Sequence, residues 1–530
     1  LDDGQPYKTA DKGSEIAMNS FGARWIALPV LGLVTLTAGA EAQTPEARLE
    51  TTRAKSDATA PAIAPIAKDR LFGAIPVSTK SDAARQFVEI ALEKYENYQI
   101  DEAVAFAHKA TVEDSHFALA YAVWSFAGRL EQPSMDALHK AQSLAPKATA
   151  EEQLMVRWMT GVQENDAVPA IAAMNDLLAR YPKQKHVLYL MAEWTYGQGD
   201  YDRAQDLAES VLTIDPNFAP VMNLLGYSYI QGKSPNPQKA LEMLHRYAAA
   251  QPRLANPQDS LAEVSRMAGD DKEALQHYSA SLKIIPNYIS SQTGLGDTYV
   301  LMGNTARARQ EYDKSLRMAT NGRDALHVEY QKALSYFWEG NPTTGLTTLD
   351  ALAIKAKQKK EPYAKFEIGF GKALLLSDAT QQLQAFGELE GWLQKPQEGM
   401  TERDRNAYLA STLREEIRIA GTLHNADVVG RSIRELEELA SRTRDAVVAT
   451  SYESARGYAF FANGDYATAA DGLSADPHAP LVLKTYVEAQ EKLGNTGNAE
   501  EARSRMKYLR APTAEWYLVS RAEKKQTAAK

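Results

Sequence analysis

EALQHYSASLKIIPNYISSQTGLGDTYVLMGNTARARQEY, residues 273–312, decides the fold. Ala274 is followed four residues later by Tyr278, then by Pro286. Gln292, Leu295, Gly296 and Tyr299 come next, in the steps of three and four that put residues on one face of a helix. Gly303-Asn304 breaks that helix, and Ala308 with Tyr312 restates Ala274 with Tyr278 at a distance of 34 residues. Working outward, the same pairing recurs as Ala170 with Pro182, Ala204 with Pro216 and Ala240 with Pro252. A fifth alanine, Ala308, has Thr320 in the proline position. The prolines are 34, 36 and 34 residues apart, and Ser234-Pro235-Asn236-Pro237 accounts for the longer interval as an enlarged turn. A fixed period of this length, filled by two helices and a stop, predicts a stack of helical hairpins.

Each unit has a physical reading. Gly226 and Gly296 carry no side chain, so a second helix can approach the first closely. Small residues four before bulky ones (Ala240 and Leu244, Ala274 and Tyr278, Ala308 and Tyr312) suit tightly packed helix pairs. Gly199-Asp200, Gly269-Asp270-Asp271 and Gly303-Asn304 supply turns, because glycine takes the left-handed conformation that ends a helix. Proline closes each unit since it cannot continue one, and "IDPNFAP" at 214–220 nearly copies "IIPNYIS" at 284–290.

This run resembles the tetratricopeptide repeat family, in the form found in secreted bacterial proteins, most specifically over residues 151–320. The family's first-helix tryptophan is replaced by Leu188, Met222, Gln258 and Gln292. Weaker copies appear at "YQIDEAVAFAHKA" (98–110), at Tyr121 and Trp124, at Ala333, Tyr336 and Gly340, at Tyr458, Gly464 and Ala469, and at "EKLGNTGNAEEARSRM" (491–506). The expected fold is all-α, a right-handed superhelical solenoid of antiparallel hairpins. Its regular array covers 79–320 and a degenerate continuation covers 321–523, followed by a basic tail at 524–530. Between 362 and 443 the helical pattern persists while the proline and alanine marks fade.

The N-terminal region sets an expected compartment. From Met18 the chain has one cation, Arg24, an apolar stretch from Trp25 to Ala38, and Ala40-Glu41-Ala42. That is the layout of a cleaved secretory signal, 18–42. The apolar stretch is interrupted by Pro29 and Gly32 and is short of the roughly 20 residues a membrane span needs. Residues 1–17 read as a non-structural upstream segment and 43–78 as a flexible Ala/Pro-rich leader. The chain has no cysteine, which removes lipoprotein anchoring, disulfides and thiolate metal sites. A periplasmic or secreted protein without a stable membrane anchor is expected.

Composition excludes further classes. The chain of 530 residues is 44% hydrophobic, 24% charged and carries a net charge of −9. It has no sustained basic stripe, so nucleic acid is not an expected partner. The densest basic run, Lys355 to Lys365, reads as solvated charge. There is no phosphate-binding glycine loop, no G-x-S-x-G and no H-E-x-x-H, and the nine histidines are scattered singly. "GFGKAL" at 369–374 lies in a helical pattern with no strand before it. Neither a cofactor nor a metal is expected.

What remains is the concave surface, which in the family is lined by the first helix of each unit. By register the resemblance assigns to it Tyr189, Glu193, Tyr196, Asn223, Tyr227, Asp259, Glu263, Arg266 and Asp297, with Thr293 beside them. Such a face, tyrosine-rich at one end and acidic at the other, suits a protein or peptide partner with basic or amine groups. The same residues also suit plain packing between helices and solvated charge. The expected function is therefore an exported, non-catalytic scaffold binding a protein or peptide in the bacterial envelope. The alternative is an enzyme or enzyme subunit acting on envelope polymers, with a site in 362–443.

Overall fold

The structure is a computed structural model that describes residues 71–128, 132–164, 166–443 and 445–528. The expected upstream segment and signal, and the leader as far as residue 70, lie outside the described residues. Among the described residues every regular element is helical. In chain order they are α1 (Leu71–Ala74), α2 (Asp82–Glu96), α3 (Ile100–Glu113), α4 (Ala118–Gly128), α5 (Gln132–Leu144), α6 (Ala150–Gln163), α7 (Ala167–Arg180), α8 (Lys185–Gly197) and α9 (Tyr201–Ile214). The array continues with α10 (Ala219–Gln231), α11 (Pro237–Ala250), α12 (Asn256–Ala268), α13 (Asp271–Ile284), α14 (Ile289–Leu301), α15 (Thr305–Met318), α16 (Gly322–Trp338) and α17 (Pro342–Gln358). The last helices are α18 (Pro362–Leu375), α19 (Ala379–Leu393), α20 (Glu402–Thr422), α21 (Ala426–Thr443), α22 (Ala446–Ala462), α23 (Tyr466–Leu473), α24 (Pro480–Lys492), α25 (Thr496–Met506) and α26 (Ala514–Ala528). Most helices pack mainly on their sequence neighbours, so consecutive pairs form an all-α solenoid of hairpins. No helix among the described residues is long and apolar enough to cross a membrane.

The hairpins form for the reasons their residues suggest. Gly269 and Gly303 take φ of 91° and 81°, the left-handed conformation that ends α12 and the turn after α14. Asp270 and Asn304 then cap the following helices, accepting from Glu273 N at 2.9 Å and Arg307 N at 3.2 Å. Ala240, Ala274 and Ala308 are fully buried. A methyl group on Gly226 would stand 2.5 Å from Leu244 Cγ, and one on Gly296 would stand 2.4 Å from the Tyr312 ring. These contacts make Gly296→Ala a test of register. Alanine is the better helix former by about 1 kcal/mol, yet overpacking costs about 1–3 kcal/mol. The variant should therefore melt below the parent, and a rise in its melting temperature would show that α14 and α15 are not in this contact.

Two boundaries differ from expectation. The leader does not extend to 78: Ile75 is buried, Thr149 Oγ1 donates to Pro76 O at 2.8 Å, and Ser78 N donates to Glu152 Oε2 at 2.7 Å. Only Ile75 and Val77 anchor this stretch to the core, too weak a signal to stand out in an Ala/Pro-rich segment. At the other end α26 continues through Ala528, beyond the expected limit at 523. The segment 362–443 forms two hairpins, α18–α19 and α20–α21, in which α20 is 21 residues long. Longer helices explain why the 34-residue marks fade there.

Candidate functional site: the inner face of the array

The first helices α8, α10, α12 and α14 bring the residues assigned to the concave face together in one line, but that line is not an open groove. Tyr189, Tyr196, Asn223, Tyr227, Asp259, Glu263 and Arg266 are all buried, and Glu193, Thr293 and Asp297 half-buried. Two other parts of the chain lie across them.

The first is the turn between α2 and α3. The Tyr189 hydroxyl donates to Glu96 O at 3.5 Å, His186 Nδ1 lies 2.6 Å from Glu96 Oε1, and Gln251 Nε2 donates to Asn97 Oδ1 at 3.4 Å. Tyr98 reaches between the Tyr189 hydroxyl and the Asn223 amide, with Glu193 and Tyr196 beside it. Burial, with the Glu193 charge adding to it, pushes the Tyr98 phenol well above its ordinary pKa, so it stays a neutral donor. For His186 burial opposes the charged form, but the Glu96 carboxylate overrides it and raises the imidazole pKa.

Tyr98 occupies the turn position that Gly199, Gly269 and Gly303 fill elsewhere, and it takes φ of 59°. A non-glycine residue there costs roughly 1–2 kcal/mol. Lys360 and His424 share the conformation, but both point to solvent. Only at Tyr98, of these three, does the side chain enter the array.

The second covering part is C-terminal. Arg510 makes a fork onto Asp271, at 2.5 and 2.8 Å, and donates to Arg266 O at 2.9 Å. Arg505 Nη2 donates to Lys233 O at 2.8 Å, and the His478 ring packs edge-on to Tyr201 with centroids 4.6 Å apart. Glu515, at the start of α26, meets Arg414, which also touches Asp476 at 2.9 Å and Glu415 at 3.4 Å. The curvature of the array thus brings both ends over its middle.

With water displaced, the acids turn on internal partners. Ser291 Oγ donates to Asp259 at 2.5 Å, Tyr227 donates to Glu263 at 2.8 Å, Arg266 donates to Glu263 at 3.1 Å, and Tyr312 donates to Asp297 at 2.8 Å. Tyr196 donates to Gln231 at 2.7 Å. Burial raises the carboxyl pKa of Glu263 and Asp297 and pushes Asp259 up to about 7. The line continues to His327, where burial opposes the charge but Glu367 at 2.8 Å holds the imidazole up at about 9. The expectation of an acidic face open to a partner is corrected: Asp259, Glu263 and Asp297 are enclosed, each bonded to a side chain of its own or a neighbouring helix. The tyrosines serve the packing role that the sequence also allowed.

Sequence reasoning missed Tyr98, His186, Glu96, Arg510 and Arg414. For Tyr98 a signal existed, a tyrosine where the other turns carry glycine. For the rest none did, since their partners lie up to 244 residues away.

Chemically, this face can hold the end of a helix with its carboxylate, and a phenol from the turn after it. Raised carboxyl pKa values can mark reactive sites, but Asp259, Glu416 and Glu515 are each buried among protein partners rather than open to a substrate.

Residues 289–321 match the family model described as Tetratricopeptide repeat. The chain is 29% identical over 171 residues to the β-barrel assembly-enhancing protease of Yersinia pestis. That match covers 31% of this chain and 35% of the other, so the chain spans about a third of that relative's length. Among solved structures, MamA is 20% identical with a TM-score of 0.27, covering 33% of this chain and 93% of MamA. A tetratricopeptide repeat protein of Parabacteroides merdae ATCC 43184 is 13% identical with a TM-score of 0.33, covering 54% and 99%.

Proposed function

We propose that this tetratricopeptide repeat protein is an exported, non-catalytic scaffold that binds a protein or peptide partner through the inner face of α8, α10 and α12. The observation that carries this reading is the self-occupied face. Side chains of the first helices already grip the end of α2 and the turn after it, Glu96 to Tyr98, through the Glu96 carbonyl and carboxylate and the Tyr98 phenol. A partner segment with a tyrosine and a preceding acid matches those same groups. That differs from the basic ligand expected from the acids alone. The signal-like 18–42 segment supports export to the periplasm or beyond. An envelope setting also agrees with the name of the Yersinia pestis relative, which concerns β-barrel assembly.

The test uses Tyr98→Gly, which keeps the left-handed turn and removes the inserted ring. Partners retained from envelope extracts are identified, and the affinity of each is measured for three proteins. An intramolecular occupant lowers apparent affinity by the fraction of time it holds the site. Tyr98→Gly should therefore bind severalfold tighter than the parent, and Tyr189→Ala with Tyr227→Ala should bind more weakly through a faster off-rate. Parental affinity in both variants would place partner binding elsewhere.

A further inference from the structure

A different part of the molecule offers an open recess. Helices α13, α14 and α15 border a cleft of about 330 Å³. Its walls include Leu275 and Leu282 from α13 and Leu295 and Tyr299 from α14, all half-buried. On α14, Leu295 and Tyr299 fall on the helix face opposite Asp297, so the cleft opens away from the self-occupied inner face.

Its charge differs from that of the chain. Lys283, Arg307 and Lys314 stand around the cleft with one acid, Glu311. Glu311 is buried and already taken: Arg307 lies at 2.7 Å, Lys314 at 2.7 Å, and Gln292 donates to it at 2.9 Å. Lys283 is exposed and makes no ion pair among the described residues. The cleft therefore has a cationic surplus in a chain whose net charge is −9. A guanidinium has five donors in a fixed fork, so Arg307 can take a second carboxylate without releasing Glu311. A basic partner finds no free acid here.

We propose that this cleft docks an acidic peptide segment of a partner protein, which seats one bulky apolar side chain between Leu282, Leu295 and Tyr299. Its flanking carboxylates meet Lys283 and the outer edge of Arg307. The volume is at the lower end of the range of ligand pockets, about 300–1,000 Å³, which suits one or two side chains rather than a whole small molecule. The site is independent of the inner face, and its fate does not depend on Tyr98.

Fluorescence anisotropy tests this with a short labelled peptide of aspartate and glutamate around a central phenylalanine, using the full chain. Control peptides replace the acids by lysine, or the phenylalanine by serine. The acidic peptide should bind, more weakly as salt rises, and both controls should bind at least tenfold more weakly. Lys283→Glu, at an exposed position free of ion pairs, should weaken binding severalfold with unchanged melting. Leu282→Asn should do the same through the apolar wall, while Tyr98→Gly should leave binding as in the parent. No binding of the acidic peptide, equal binding of the lysine peptide, or parental affinity in both cleft variants overturns the proposal. Self-association that disappears with Lys283→Glu overturns it in favour of a second copy of this chain.

Discussion

Arg414→Met should destabilise the protein by about 3–5 kcal/mol, the cost of stranding buried charges. The guanidinium is 1% exposed and touches carboxylates from three places: Glu415 on its own helix, Asp476 before α24, and Glu515 on α26. Arg418 at 2.6 Å offsets Glu415 and also acts on Glu515, so removing Arg414 takes from Asp476 the cation 2.9 Å away and leaves Glu515 with the weaker pull of Arg418. Burial, eased by Arg414, already raises the Glu515 carboxyl to about 7. The loss should therefore be smaller at pH 5.5, where the stranded acids can take protons, than at pH 8.5. Because α26 packs on α16, α18 and α24, the variant should also free the C-terminal helix for early hydrogen exchange. Denaturant melts at the two pH values, with exchange across 514–528, check this. Parental stability at both values would show that the cluster holds nothing together.

Thermal stability should fall steadily from about pH 5 to about pH 9, by several degrees in midpoint. Four groups drive it in one direction. Asp259 and Glu515 are pushed up to about 7 and Glu416 to about 8, mainly by burial; for Glu416 the nearby Glu390 adds to it. A carboxyl whose folded pKa is raised keeps its proton in the folded chain while the unfolded chain releases it near pH 4. Each such group therefore loses its stabilising contribution as pH climbs from that value to 7 or 8. His327 adds to the same slope, because its raised pKa of about 9 is stabilising below about 6.5 and lost through 9. Each pKa unit corresponds to about 1.4 kcal/mol before relaxation and solvent entry reduce it. At the acid end Asp215 opposes the trend: its bond from Lys185 lowers its pKa, so that contribution is lost as pH falls. Glu416→Gln, neutral at every pH, should flatten the slope. A melting temperature level between pH 5.5 and 9 would contradict the burial of these four groups.

The repeat was legible because it is local. Ala274 with Tyr278, Gly296 with Tyr312 and the Gly303-Asn304 turn involve residues within one hairpin or its neighbour. Their spacing alone therefore states which faces meet and where each helix stops. The line of first-helix residues from Tyr189 to Asp297 was legible for the same reason, since register fixes which residues share a side. The longer helices of 362–443 were less so, because their contacts follow no constant interval.

Residue spacing thus specifies the hairpins, their order and the residues on the inner side. Whether that side meets water depends on how parts of the chain remote from one another come together. Small rotations between neighbouring hairpins add up along the chain, and no single unit records their sum. That sum lays Tyr98 on Tyr189 and Asn223, brings Arg510 back to Asp271, and gathers Asp476 and Glu515 on Arg414. Burial turns the acids of the line into an internal hydrogen-bonded network, and at Tyr189 and Asn223 a face that register describes as a groove is one the chain already fills.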